Sequence, residues 1–196
     1  TSIALKYGGT IDKYIGDAMM IFFGDPTSNG DKQDAKDCLE MALSMQKKMK
    51  FLQDKWKNQG FSEPFQVRIG INTGYCNVGN FGSNQRLTYT IIGGEVNVTQ
   101  RLESHADPDG ILMSYETYAY TKDIVEVEER QKIKMKGVNR DVKCFAVKKR
   151  KLSRINESFE TKLNKNLKNK NIENPVNSLE ERMIKMEQNM KNVLEK

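Results

Sequence analysis

Gly8-Gly9-Thr10-Ile11-Asp12-Lys13-Tyr14-Ile15-Gly16-Asp17-Ala18-Met19-Met20-Ile21-Phe22-Phe23 is the stretch whose reading decides the fold. Thr10–Ile15 and Ala18–Phe23 are two runs of strand-forming residues, and only Gly16-Asp17 lies between them. Two residues of that type between such runs predict a tight hairpin, with Gly16 supplying a positive φ. Gly24-Asp25-Pro26 then ends the second strand, because proline has no N–H to give to a ladder.

The next segments add helices. From Asp31 to Lys57 the apolar positions Cys38, Ala42, Met45, Met49, Leu52 and Trp56 recur at intervals of four and three. That spacing predicts one long amphipathic helix with its charges on the other face. A buried strand is expected at Val67–Asn72, a short one near Cys76–Val78, and a glycine-bearing turn at Gly79–Gly82. Arg86–Ile92 reads as a strand, and Gly94–Ala106 as a helix stopped by Asp107-Pro108-Asp109-Gly110. Ile111–Met113 and Ile124–Glu128 read as strands around a short helix at Glu116–Thr121. Two late strands follow at Gln131–Met135 and Val142–Val147. Helices mixed with hairpins make the class α+β, not a doubly wound parallel sheet.

A length of 196 residues allows one ordinary domain plus an appendage. The division falls at residue 148, giving a folded domain over 1–148 and a charged, helical tail over 149–196. The tail opens on Lys148-Lys149-Arg150-Lys151, read as a solvated cluster, and is poor in aromatics. Pro175 breaks it in two. Beyond the break, Ser178 precedes Glu181 by three, a capping-box spacing, with Leu179, Met183, Met186, Met190 and Val193 behind it.

The net charge of +6 arises from 32 basic and 26 acidic residues spread along the chain. No basic stripe with interleaved aromatics is present, which argues against nucleic acid as a partner. Cys38, Cys76 and Cys144 are odd in number and lack metal-ligand spacing, so a reducing, cytoplasmic setting is expected. No run of about 18 apolar residues occurs, so any membrane attachment is expected to come from an upstream region. The chain opens on Thr1 and reads as part of something longer.

Two groups of residues carry chemistry. Asp17 sits at the hairpin tip, where a rigid, outward carboxylate suits a hard cation, although aspartate is also ordinary turn chemistry. Asn97 and Arg101 stand four apart on the Gly94–Ala106 helix and so share a face. A guanidinium beside an amide is a natural pair for phosphate oxygens. The bland alternative pairs Arg101 with Glu103 or Asp107.

These segments resemble the class III adenylate and guanylate cyclase catalytic domain. Gly8-Gly9-x-x-x-Lys13-x-x-Gly16-Asp17 is similar to that family's second metal-aspartate hairpin. Val67-Arg68-Ile69-Gly70-Ile71-Asn72-Thr73-Gly74 resembles its central strand, Tyr89 through Glu103 its Tyr-Thr-x-x-Gly-x-x-Val-Asn-x-x-x-Arg-Leu-Glu segment, and Lys134-Met135-Lys136-Gly137 its late Lys-Gly turn. Four motifs in order cover residues 6 to 148.

The resemblance implies a ferredoxin-like antiparallel sheet with packed helices, and an adenylate cyclase that converts ATP to 3′,5′-cyclic AMP and pyrophosphate in cyclic-nucleotide signalling. It implies that Asp17 binds two Mg²⁺ or Mn²⁺ ions together with a second aspartate. Lys13 donates to adenine N1 and Thr90 accepts from the exocyclic amine. Asn97 orients the ribose, Arg101 stabilises the transition state, and Arg68 and Lys136 neutralise the triphosphate. The family builds its site between two such domains, so a homodimer is expected.

The family's first metal aspartate lies on an upstream strand, in a segment resembling Phe-x-Asp-Ile, and no such segment occurs in this sequence. That strand belongs between the second hairpin strand and the Val67 strand, so this chain by itself is expected to be inactive. Three other readings were weighed. One is a non-catalytic, cyclase-like regulatory or dimerisation domain. Another is a guanylate cyclase, which usually carries an acidic residue at the Lys13 position. The third is a diguanylate cyclase, suggested by Gly93-Gly94-Glu95 and opposed by the helix that follows those glycines.

Overall fold

The computed structural model describes residues 1–83, 85–134 and 141–151. The expectations for Lys136, for the late Lys-Gly turn and for the capped helix behind Ser178 fall outside those residues. The described part belongs to one compact unit, Thr1–Lys151.

The elements run α1 (Ser2–Lys6), β1 (Thr10–Ile15), β2 (Ala18–Phe22), α2 (Asp31–Asn58), β3 (Ile69–Ile71), β4 (Asn77–Ser83), β5 (Arg86–Ile92), α3 (Gly94–His105), β6 (Ile111–Ser114), α4 (Tyr115–Thr121), β7 (Val125–Ile133) and β8 (Val142–Arg150). The class is α+β. Strands β3-β6-β8-β7 form a four-stranded sheet, and β1–β2 and β4–β5 are separate antiparallel pairs. One neighbouring pair in the four-stranded sheet, β3 and β6, runs parallel, joined by the crossover through β4, β5 and α3.

The four-stranded sheet is covered on both faces. Strand β6 is buried at all four residues, and its side chains alternate between the two layers, as the pleat requires. Leu112 joins Val98 and Leu102 of α3, Val142, Cys144 and Ala146 of β8, and Ile133. Ile111 and Met113 join Leu39 and Ala42 of α2, with Ile71, Val125 and Phe145. Helix α2 thus uses the predicted stripe, but its most buried leucine, Leu39, lies one position beyond it.

Two expectations about turns are overturned. Gly79–Gly82 is not a turn: the β4–β5 ladder runs unbroken from Asn77↔Ile92 to Ser83↔Arg86. Nor are Ile124–Glu128 and Gln131–Met135 separate strands. Strand β7 runs from Val125 to Ile133 along β8, absorbing two register shifts on the way.

The basic cluster at the end of the domain is also not simply solvated. Strand β8 continues through Arg150, two residues past the expected boundary. Lys148 contacts Glu128, Lys149 pairs with Glu126 at 3.3 Å, and Arg150 with Glu40 at 2.8 Å. The Lys148 ammonium, then Arg130, hold the Glu128 carboxyl below its ordinary range. Exposed pairs of this kind each contribute little to stability, because solvent screens them.

Among the described residues β2 hydrogen-bonds only to β1, and β3 only to β6. Between them lies a groove of about 600 Å³, lined by Met20, Ile21 and Phe22 on one side and Gly70 and Ile71 on the other. This is where the sequence resemblance expected a further strand. Cys38 also faces the groove; desolvation, then the charge of Asp37, pushes its thiol up to about 12, so it stays protonated at neutral pH.

One close approach holds α3 to β3. A Cβ on Gly70 would lie 2.3 Å from Glu103 N and 2.5 Å from Thr99 O. Because both obstacles are backbone, a side chain there must push the helix away. Gly70→Ala is therefore expected to destabilise the domain by roughly 1–3 kcal/mol, the usual cost of overpacking, read as a lowered midpoint in urea unfolding.

Candidate functional site

The hairpin forms as its sequence predicts. Ile15 pairs with Ala18 across Gly16 (φ +63°) and Asp17, a two-residue connection. The ladder then shifts: Ile11 faces Ile21, but Lys13 faces Met20, which leaves Asp12 as the extra residue of a β-bulge. In a regular strand Asp12 and Lys13 would point to opposite faces. The bulge re-aims one of them, and both reach the same partner on β5.

That partner is Thr90, buried on an otherwise exposed strand. Its hydroxyl accepts a hydrogen bond from Lys13 Nζ at 2.9 Å and donates to Asp12 Oδ2 at 2.9 Å. The Asp12 side chain is fully buried, whereas Lys13 keeps 40% of its surface. Beside this cluster, Tyr89 donates its hydroxyl to Asp25, and Thr10 Oγ1 donates to the Asp25 carbonyl at 2.7 Å. The structure therefore brings Lys13 and Thr90 together inside one chain. The sequence does not reveal Asp12, because a bulge leaves no mark on a hydrophobic pattern, and it marks Asp25 only as part of the turn that ends the second strand.

Helix α3 presents the second group. Val98 and Leu102 are fully buried, and Asn97 and Arg101, each one position earlier, are exposed on the other side. Neither Asn97 nor Arg101 makes a side-chain hydrogen bond or ion pair with the described residues. The bland partners for Arg101 are taken: Glu103 is held by Arg68 at 3.2 Å, and Asp107 by Arg130 at 2.6 Å. Arg68 therefore spends its guanidinium on Glu103 and on the Ser104 carbonyl, and no contact joins it to Lys13 or Thr90. His105 closes α3 with Nδ1 against the Arg101 carbonyl at 2.8 Å, as a helix-end residue does.

Asp17 is exposed at the hairpin tip. No group of three metal-capable side chains converges among the described residues. One carboxylate does not make a site for a divalent ion. The donor set present in these residues thus does not amount to a two-ion centre.

Freedom from partners gives Arg101 a testable property. Arg101→Ala and Asn97→Ala are expected to change unfolding free energy by no more than about 0.5 kcal/mol, as for surface positions without structural contacts. Equilibrium urea melts check this, and a larger loss would make these residues structural.

Comparison with known proteins agrees with the geometry. Residues 6–149 match the adenylate and guanylate cyclase catalytic domain. The chain is 30% identical over 139 residues to adenylate cyclase 1 of Rhizobium meliloti, covering 70% of this chain and 20% of that protein. It spans about a fifth of the length of the curated relatives it matches. Among solved structures, the adenylyl cyclase CyaB from P. aeruginosa is 48% identical, with a TM-score of 0.72 over 78% of this chain and 77% of that one. The guanylyl cyclase Cya2 is 34% identical, with a TM-score of 0.67 over 74% of this chain and 73% of that one. The chain belongs to the family of adenylate and guanylate cyclase catalytic domains.

Proposed function

We propose that this domain serves an adenylate cyclase, which converts ATP to 3′,5′-cyclic AMP and pyrophosphate. One observation carries the choice of ATP over GTP: Lys13 Nζ and Thr90 Oγ1 stand 2.9 Å apart. They present an ammonium donor beside a hydroxyl acceptor. Adenine offers the matching edge, an acceptor at N1 beside a donor amine, whereas guanine offers N1–H beside a carbonyl oxygen. Both guanine contacts are reversed in polarity.

The other residues act on the sugar and phosphates. Asn97 and Arg101 project from α3 without structural partners among the described residues. The Asn97 amide positions the ribose, and the Arg101 guanidinium meets the charge that grows on the phosphate oxygens as the 3′-hydroxyl attacks and pyrophosphate leaves. Divalent metal ions, where bound, would lower the pKa of the attacking hydroxyl and offset charge on the leaving group. Asp17 supplies one carboxylate toward the two Mg²⁺ or Mn²⁺ ions of this reading, and further ligands must come from outside the described residues. Arg68, held by Glu103, must exchange that partner to reach a triphosphate. Lys136 keeps the same proposed role.

A homodimer fits this reading. Tyr14, Ile15, Leu87 and Ile92 are exposed on the two hairpins that bear Lys13 and Thr90, an apolar surface of the kind that marks protein contacts. A cytoplasmic setting, where ATP is abundant, is part of this reading. Separately, no helix among the described residues is long and apolar enough to cross a membrane.

Two measurements test the proposal on the full-length protein. In competition assays ATP should be strongly preferred over GTP, and Lys13→Glu should erode that preference roughly ten- to a hundredfold. Equal turnover of both nucleotides by the unaltered protein would overturn the base assignment. Separately, Asp17→Asn and Arg101→Ala should each abolish most activity, and a mixture of the two variants should regain part of it. Rescue is expected because a mixed dimer contains one site with neither lesion; a mixture as silent as its components refutes the shared site.

A further inference from the structure

We infer that Asp12 is a positioning residue that sets nucleotide specificity by fixing the hydrogen-bond polarity of Thr90; the inference rests on the adenylate cyclase reading above. A threonine hydroxyl carries one proton and two lone pairs, and left to rotate it can present either to a ligand. Here the proton goes to Asp12 Oδ2 at 2.9 Å. The next acceptor within reach is the Ile91 carbonyl at 3.4 Å, so rotation toward it still gives the proton to the protein. One lone pair takes Lys13 Nζ. What remains for a base is a single lone pair. That lone pair accepts from the amine of adenine and repels the 6-oxo group of guanine or hypoxanthine.

Three features show that the arrangement is built for this. The bulge between Ile11 and Lys13 turns Asp12 and its neighbour toward the same hydroxyl, which a regular strand would not do. The Asp12 carboxylate is fully buried, and Oδ1 has no hydrogen-bond partner among the described residues. Leaving a buried acceptor unpaired works against stability. A carboxylate, which only accepts, is also the side-chain group that can never hand a proton back to Thr90. An amide at the same place offers donors as well, and would let the threonine proton turn outward.

The test compares ATP with inosine triphosphate, which keeps the purine shape but carries N1–H and a 6-oxo group. The ratio of their kcat/KM values is measured for the full-length protein, for Asp12→Asn and for Asp12→Ala, with thermal melts to confirm folding. Each substitution is repeated in a Thr90→Val background. The unaltered protein should prefer ATP, and Asp12→Asn should lower that preference roughly tenfold. In the Thr90→Val background the same change should move the ratio much less, because no hydroxyl remains to be oriented and only the 3.7 Å ion pair of Asp12 with Lys13 is altered. A merely structural role for Asp12 would move the ratio equally in both backgrounds, and that result overturns the inference. An unchanged ratio in both folded Asp12 variants also overturns it. An unaltered protein with no ATP preference would instead refute the adenylate cyclase reading, a different outcome from either.

Discussion

The tie between the two hairpins is a hydrogen-bonded cluster around one buried hydroxyl. Neither β1–β2 nor β4–β5 shares a ladder with the four-stranded sheet, and an isolated two-stranded hairpin is marginal in water. Thr90 joins them by taking Lys13 and Asp12 at once, and Asp25 adds a second tie through Tyr89 and Thr10. Such contacts are worth about 1 kcal/mol each when neutral and more when one partner is charged. Their positions matter more than their sum, because the groups that tie the hairpins are those proposed to read the base.

The rest of the domain is arranged to keep that cluster in place. Strands β6 and β8 are packed on both faces by α2, α4 and α3, which makes them the part least able to move. Gly70 then lets α3 sit against β3 at backbone distance. The hairpins are attached to this frame through side chains and short connections, and the groove between β2 and β3 lies at the join. A sheet edge that bonds on one side only is a weak boundary in any fold.

How much of this was readable beforehand depends on whether a feature is periodic. The Gly16-Asp17 hairpin, the long α2 and the Gly94 helix follow from turn chemistry and helical spacing, and all three formed where expected. Asp17 stands out by its place at the hairpin tip and Asn97 and Arg101 by their helical spacing, whereas Lys13 and Thr90 are marked only by a resemblance of motifs, and their juxtaposition appears only in three dimensions. The failures share a cause. Gly79–Gly82 was read as a turn because glycine usually punctuates, yet the ladder opposite it overrides that preference. Lys148–Lys151 was read as solvated because charge runs usually are, but the glutamates opposite it on β7 and α2 could not be seen from its own segment. Asp12 was passed over because a one-residue bulge changes which face a side chain takes while leaving the sequence pattern intact.

Helix α3 shows how structural and chemical demands can share one short segment without conflict. Val98 and Leu102 anchor it in the core, and the backbone at Thr99 and Glu103 rests on Gly70. The Glu103 side chain holds Arg68. With two of its sides fixed in this way, the helix has no need of Asn97 or Arg101 for its own stability. Those two side chains stay exposed and free of partners among the described residues, yet their Cα positions are set by the frame. A guanidinium so placed keeps its hydrogen-bonding capacity for an incoming anion, because no carboxylate among the described residues competes for it. Arg68 is the contrast: it lies next to the same helix, but its charge is already met by Glu103, so any phosphate must displace that carboxylate first. The two arginines therefore start from different places energetically. In the proposed reading Arg101 would meet substrate charge directly, while Arg68 would exchange one anion for another and gain only the difference.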